Sequence, residues 1–146
     1  MALGRRGIFL TKFRDQLPSS LPASMLHREF APFQKLFPHC AAVVHHGGVG
    51  TVAKALAAGI PQLIRPICFD QEDNGHRVKR LGVGDWLKFG PGGGRLIAEA
   101  LRRLITPETQ QQCRVVAARF ENQDGLAAAA RCIEWFMEAG GSSNSV

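Results

Sequence analysis

Apolar residues follow two rhythms along this chain. Short apolar runs bounded by glycine, proline or polar clusters predict strands over Gly7 to Lys12, Met25 to Phe30, Ala41 to His45 and Pro61 to Arg65. Elsewhere the spacing is helical. Val49 to Ala58 runs into Gly59 as a C-cap, and a second helix spans about Glu72 to Leu81. Leu96, Ile97, Ala100, Leu101, Leu104 and Ile105 form a third apolar stripe. Thr106-Pro107-Glu108 then supplies an N-cap, a proline at the first helical position and an early acid. Cys113, Val116, Ala117 and Phe120 line one face of the following helix, and Leu126, Ala130, Ile133 and Met137 one face of the last.

Between these lie one helical turn at Pro32 to Phe37 and a short extended piece at Asp85 to Lys88. Asp15 to Ala23 is a loop, Pro91-Gly92-Gly93-Gly94 a flexible one, and 141–146 a disordered polar tail. The strand–helix–strand order over 41–65 is a βαβ crossover, which demands parallel strands and a right-handed connection. The predicted fold class is therefore α/β, a Rossmann-like parallel sheet with flanking helices and a helical C-terminus, in one domain over 1–140.

Composition narrows the partners. With 146 residues, 45% hydrophobic and 21% charged, the chain reads as an ordinary globular domain. The net charge of +6 favours an anionic ligand, but the basic residues are scattered, Arg77, Lys79 and Arg80 being the densest group. No basic stripe alternates with aromatics, so nucleic acid is not the expected partner. Cys40, Cys68, Cys113 and Cys132 make no C-x-x-C pair and are expected to be small buried residues of a reduced compartment. His45 and His46 are adjacent and would point to opposite faces of a strand, so no metal site is expected. No apolar run reaches bilayer-spanning length and the N-terminus lacks a signal-peptide core, which makes a cytoplasmic location the expectation.

The chemistry concentrates in His45-His46-Gly47-Gly48-Val49-Gly50-Thr51, between a strand and a helix. That order aims backbone N–H groups at a helix N-terminus, where anions bind. Glycines let a phosphate approach the main chain, Thr51 adds a hydroxyl and a histidine adds a further donor. It is not a P-loop, because no lysine precedes Thr51. It fits a dinucleotide fingerprint only in part: Ala53 takes the sixth position, and Asp70, near the spacing of the acidic ribose ligand, follows Pro66 in a different sort of loop. Phosphate binding and plain turn geometry both remain open on this motif alone.

HHGGVGT, AGIPQLIRP and FDQ, in that order within Leu36 to Gly84, closely resemble the C-terminal domain of UDP-dependent glycosyltransferases. The nearest group is that of sterol glucosyltransferases and the glycosyltransferases of macrolide and glycopeptide biosynthesis, with weaker similarity over about Gly7 to Met137. The resemblance implies a GT-B architecture, of which this chain holds part of the C-terminal, donor-binding domain. It implies that His46 with Gly48, Val49, Gly50 and Thr51 binds the donor diphosphate, and that Asp70 and Gln71 hold the hexose hydroxyls. The alternatives are a buried strand-end histidine at 46 and a helix cap at 70–71. Phe30-Ala31-Pro32-Phe33 lies where plant relatives carry a Trp-Ala-Pro-Gln sequence stacked on uracil, so Phe30 either faces the base or joins the core. Lys54 stands where those relatives place a glutamate on the ribose hydroxyls.

Inverting transfer also needs a base for the acceptor's proton, which in the family belongs to the N-terminal domain. The resemblance implies that this domain, and even the first strand of the donor domain with its phosphate loop, would lie before Met1. No catalytic residue is assigned within the chain. The expected ligand is a UDP-hexose, UDP-glucose first, without metal. The expected partner is an acceptor domain, carried on the same polypeptide or on a separate subunit. The acceptor would be a lipid, sterol or small molecule, and a degenerate, non-catalytic UDP-sugar-binding module is the alternative.

Overall fold

The computed structural model describes residues 3–88, 90, 93–121 and 124–141. Among the described residues five strands and six α-helices follow one another as β1 (Gly7–Leu10), β2 (Met25–Arg28), α1 (Phe33–Leu36), β3 (Val43–His45), α2 (Val49–Ala57), β4 (Gln62–Ile64), α3 (Gln71–Arg80), β5 (Gly84–Trp86), α4 (Gly93–Leu104), α5 (Pro107–Ala117) and α6 (Gly125–Gly141), with short 3-10 turns between some of them. Every strand pair is parallel, as the crossover required. The strands fall into two sheets: β3-β4-β5, and a separate β1-β2 pair.

β4 is the centre of the larger sheet, and its alternating side chains face two packed layers. Ile64 joins Val52 of α2, Val78 of α3, Val83, and Cys113 and Val116 of α5. Leu63 faces the other way, against Ala100 and Leu104 of α4. A third cluster, Phe37, Ala55 and Ile60, seats α2 on the turn that leads into β3. Gly75 lets α3 lie directly on β5, since a side chain there would run into Trp86. That close fit fixes where the start of α3 emerges, beside the turn after β3.

The capping signals hold. Gly59 adopts a left-handed φ of +65° after α2, and the Thr106 hydroxyl accepts from the Thr109 N–H at 3.2 Å to start α5. Three expectations change. Gly93 and Gly94 open α4 and so do not belong to a flexible loop, whereas Pro91 and Gly92 lie outside the described residues. The proposed tail begins inside α6, which reaches Gly141; 142–146 lie outside the described residues. Of the four cysteines only Cys113 is buried; Cys40 is half-buried and Cys68 and Cys132 are exposed. Burial pushes the Cys113 thiol up to about 11, so that site is inert.

Candidate functional site

The turn from β3 to α2 opens at the C-terminal edge of the parallel sheet, the usual place for ligands in α/β folds. Gly47 has a φ of +100°, and a Cβ there would lie 2.7 Å from Ile64 Cγ2 and 3.1 Å from the Gln71 carbonyl oxygen. Only glycine fits both the conformation and the space. Gly48 is the N-cap of α2 and, lacking a side chain, gives no side-chain cap; its carbonyl takes the Thr51 and Val52 N–H groups. The N–H groups of Val49 and Gly50 belong to the helix end, where no intrahelical acceptor exists. A Cβ on Gly50 would meet nothing within 4 Å, so this end is open to a ligand.

The two histidines have separate roles. His45 points inward: its Nδ1 accepts from the Gly47 N–H at 3.1 Å, which leaves Nε2–H to donate to Gln62 Oε1 at 3.1 Å. Burial, partly offset by the bond to Gln62, lowers its pKa from 6.5 to about 4, so it stays neutral and acts as a strut for the turn. His46 is exposed, with its ring resting over Gly48: the missing Cβ of that glycine would lie 2.7 Å from His46 Nε2. It is not a buried strand-end histidine.

The second loop comes to the same place. Asn74 Nδ2 donates to the Gly47 carbonyl and to Asp70 Oδ2, both at 2.9 Å, so one side chain ties the two loops together. Sequence reasoning passed over Asn74, because nothing in the chain's spacing announces a partner at position 47. Asp70 begins α3 without a side-chain capping bond, and the residue is exposed. Gln71 is turned inward: its Oε1 accepts from the Ile67 and Cys68 N–H groups at 2.8 and 3.2 Å, and the residue is 9% exposed. Phe69 was also unforeseen. It holds a left-handed φ of 57° with its ring 93% exposed beside Asp70, a strained conformation of the kind that gathers at functional sites.

Phe30 lies apart from these loops, next to a cavity of about 290 Å³ lined also by Leu10, Pro32, Phe33 and Lys54. It is 76% exposed and so is not core, whereas Phe33 stacks on the buried Phe37 with centroids 4.6 Å apart. Lys54, which lines this cavity, lies one turn after Gly50 on α2. Among the described residues no group of His, Cys, Asp and Glu is placed to hold a metal ion, and no helix is long and apolar enough to cross a membrane.

Residues 8–129 match the family model described as the C-terminal domain of erythromycin biosynthesis protein CIII-like proteins. The chain belongs to this glycosyltransferase family. It is 37% identical over 114 residues to sterol 3-beta-glucosyltransferase UGT80B1 of Arabidopsis thaliana, covering 77% of this chain and 18% of that protein. The glycosyltransferase of kitacinnamycin superposes with a TM-score of 0.76 at 20% identity, over 87% of this chain and 34% of that one. The glycosyltransferase VinC, solved in complex with dTDP, gives a TM-score of 0.64 at 30% identity, over 71% of this chain and 27% of that one. The family and these neighbours identify the α/β fold as that of a GT-B C-terminal domain. The chain spans about a third or less of the proteins it matches.

Proposed function

We propose that this chain is the donor-binding half of an inverting, UDP-sugar-dependent glycosyltransferase, with UDP-glucose as the leading candidate donor. The observation that carries the reading is the Asn74 bridge, which holds the open start of α2 and the Asp70 carboxylate, bonded through Oδ2, side by side. In this reading the Val49 and Gly50 N–H groups, the Thr51 hydroxyl and His46 take the diphosphate, with Gly48 permitting its approach. Asp70 accepts from the hexose hydroxyls, while Gln71 holds the loop that aims it. Phe30 offers its ring to the base.

The chemistry assigned to this half concerns the leaving group. As the acceptor oxygen attacks the anomeric carbon, the bond to UDP breaks and negative charge gathers on the diphosphate. Fixed N–H dipoles at a helix N-terminus stabilise that charge without reorganising. The base and the acceptor pocket belong to an N-terminal domain, on the same polypeptide or on a partner, in the cytosol. Partner dependence has its own support in α6, where Leu126, Ile133, Phe136 and Met137 are each at least 65% exposed.

Calorimetric titration with UDP-glucose tests the reading. Binding that weakens by about 1–3 kcal/mol in His46→Ala, and again in Asp70→Ala, supports it. No heat at millimolar ligand, or unchanged affinity in both variants, overturns it and leaves a degenerate module.

A further inference from the structure

Gln62 is the polar residue of β4, where its neighbours Leu63 and Ile64 are apolar. It is 0% exposed and shares the face of Ile64, two residues on. Its Oε1 accepts from His45 Nε2–H across the β3-β4 pair. Among the described residues its Nε2 group has no hydrogen-bond partner. A buried amino group left so costs stability, and an apolar side chain of similar size would avoid that cost. Such a group calls for an explanation outside folding.

The orientation of the amide follows from the backbone. The Gly47 N–H donates to His45 Nδ1 at 3.1 Å, so that nitrogen carries no proton. The proton of the neutral ring is then on Nε2 and needs an acceptor, which Gln62 presents at 3.1 Å. Turning the amide over would set one donor against another, so the stranded amino group is a consequence of serving the imidazole. Gly47 is buried at a φ of +100°, and its carbonyl is held by Asn74 Nδ2 at 2.9 Å. The imidazole therefore supplies the other half of a clamp on this residue, directly before Gly48 caps α2. With no acceptor at position 62, the ring proton can move to Nδ1, where it opposes the Gly47 N–H.

We infer that Gln62 is a positioning residue of the donor site: by accepting from His45 it selects the Nε2–H tautomer, which keeps an acceptor for the Gly47 N–H and the glycine turn in its ligand-ready shape. The link to a ligand rests on the donor-site reading above, and the link to His45 does not.

Two substitutions of similar size separate this role from packing. Gln62→Met removes the acceptor and keeps the volume. Gln62→Glu keeps an acceptor but, as a carboxylate, favours the imidazolium, whose Nδ1–H opposes the Gly47 N–H. NMR of the histidine ring nitrogens in the 146-residue chain reads the tautomer, and calorimetry with pyrophosphate and with UDP-glucose reads the turn. The unmodified chain should show the Nε2–H form. Gln62→Met should show a mixed His45 signal and bind both ligands about fivefold more weakly. In Gln62→Glu, affinity relative to the unmodified chain should recover as rising pH deprotonates the imidazolium. His46, whose ring centroid is 6.4 Å from that of His45, is common to both chains and cancels in that ratio. An unchanged His45 signal in Gln62→Met overturns the inference, as does full affinity in that variant or a Gln62→Glu ratio flat with pH. If the unmodified chain binds neither ligand, the donor-site reading falls. The His45 signal in Gln62→Met then still decides whether Gln62 governs the tautomer, so the two failures are told apart.

Discussion

The two sheets obey the same strand rules and end in different states. In β3-β4-β5, the central strand has a neighbour on each edge and helices on each face, and Leu63 and Ile64 are fully buried. In β1-β2 each strand has a single neighbour, and Ile8, Phe9 and Leu26 remain 38–44% exposed. Parallel sheets are normally covered on both faces, and two strands alone are marginal in water. Apolar strand residues become core only where the topology brings cover to them. The glycine turn after β3 grows from the covered sheet, and Phe30 follows the uncovered pair.

The sharpest way to break that contrast is at Leu63. Leu63→Ala in the buried centre should cost about 3 kcal/mol by urea unfolding, through lost burial and a residual cavity. Acid comes next. His45 titrates near 4 in the folded chain against 6.5 unfolded, so the unfolded chain takes up its proton first as pH falls. Stability should be complete above about pH 6.5 and decline by up to about 3 kcal/mol as pH approaches 4, a slope absent from His45→Gln. Asn74→Ala should cost about 1–2 kcal/mol and weaken sugar-nucleotide binding more than it weakens pyrophosphate binding. The smallest effect belongs to the open pair: Leu26→Ala should move the urea midpoint by under about 1 kcal/mol. A Leu26→Ala cost equal to that of Leu63→Ala would mean that β1-β2 is covered in solution.

Much of the fold was legible because its signals are local. Gly59, Thr106 and Pro107 mark helix ends through backbone geometry alone, and β4 reads as a strand from its own apolar run. The glycine turn was legible as a turn, and its motif pointed to phosphate. What escaped depends on contacts across the chain. Asn74 is 27 residues from Gly47, and only the packing of α3 on β5 brings them together. Gln71 carries the same amide whether it faces a ligand or its own loop, so composition could not tell that it turns inward. The apolar stripe of α6 promised burial, yet a stripe records a preference without naming what satisfies it.

The doubled histidine has a consequence of its own. Because the first imidazole accepts at one nitrogen and donates at the other, neither its acceptor lone pair nor its N–H proton is at liberty. Its neighbour inherits all of the pair's capacity to respond to a visitor. Exchanging the properties of the two positions would remove the brace on the turn and bury the exposed ring, although the written sequence would still show the same two letters.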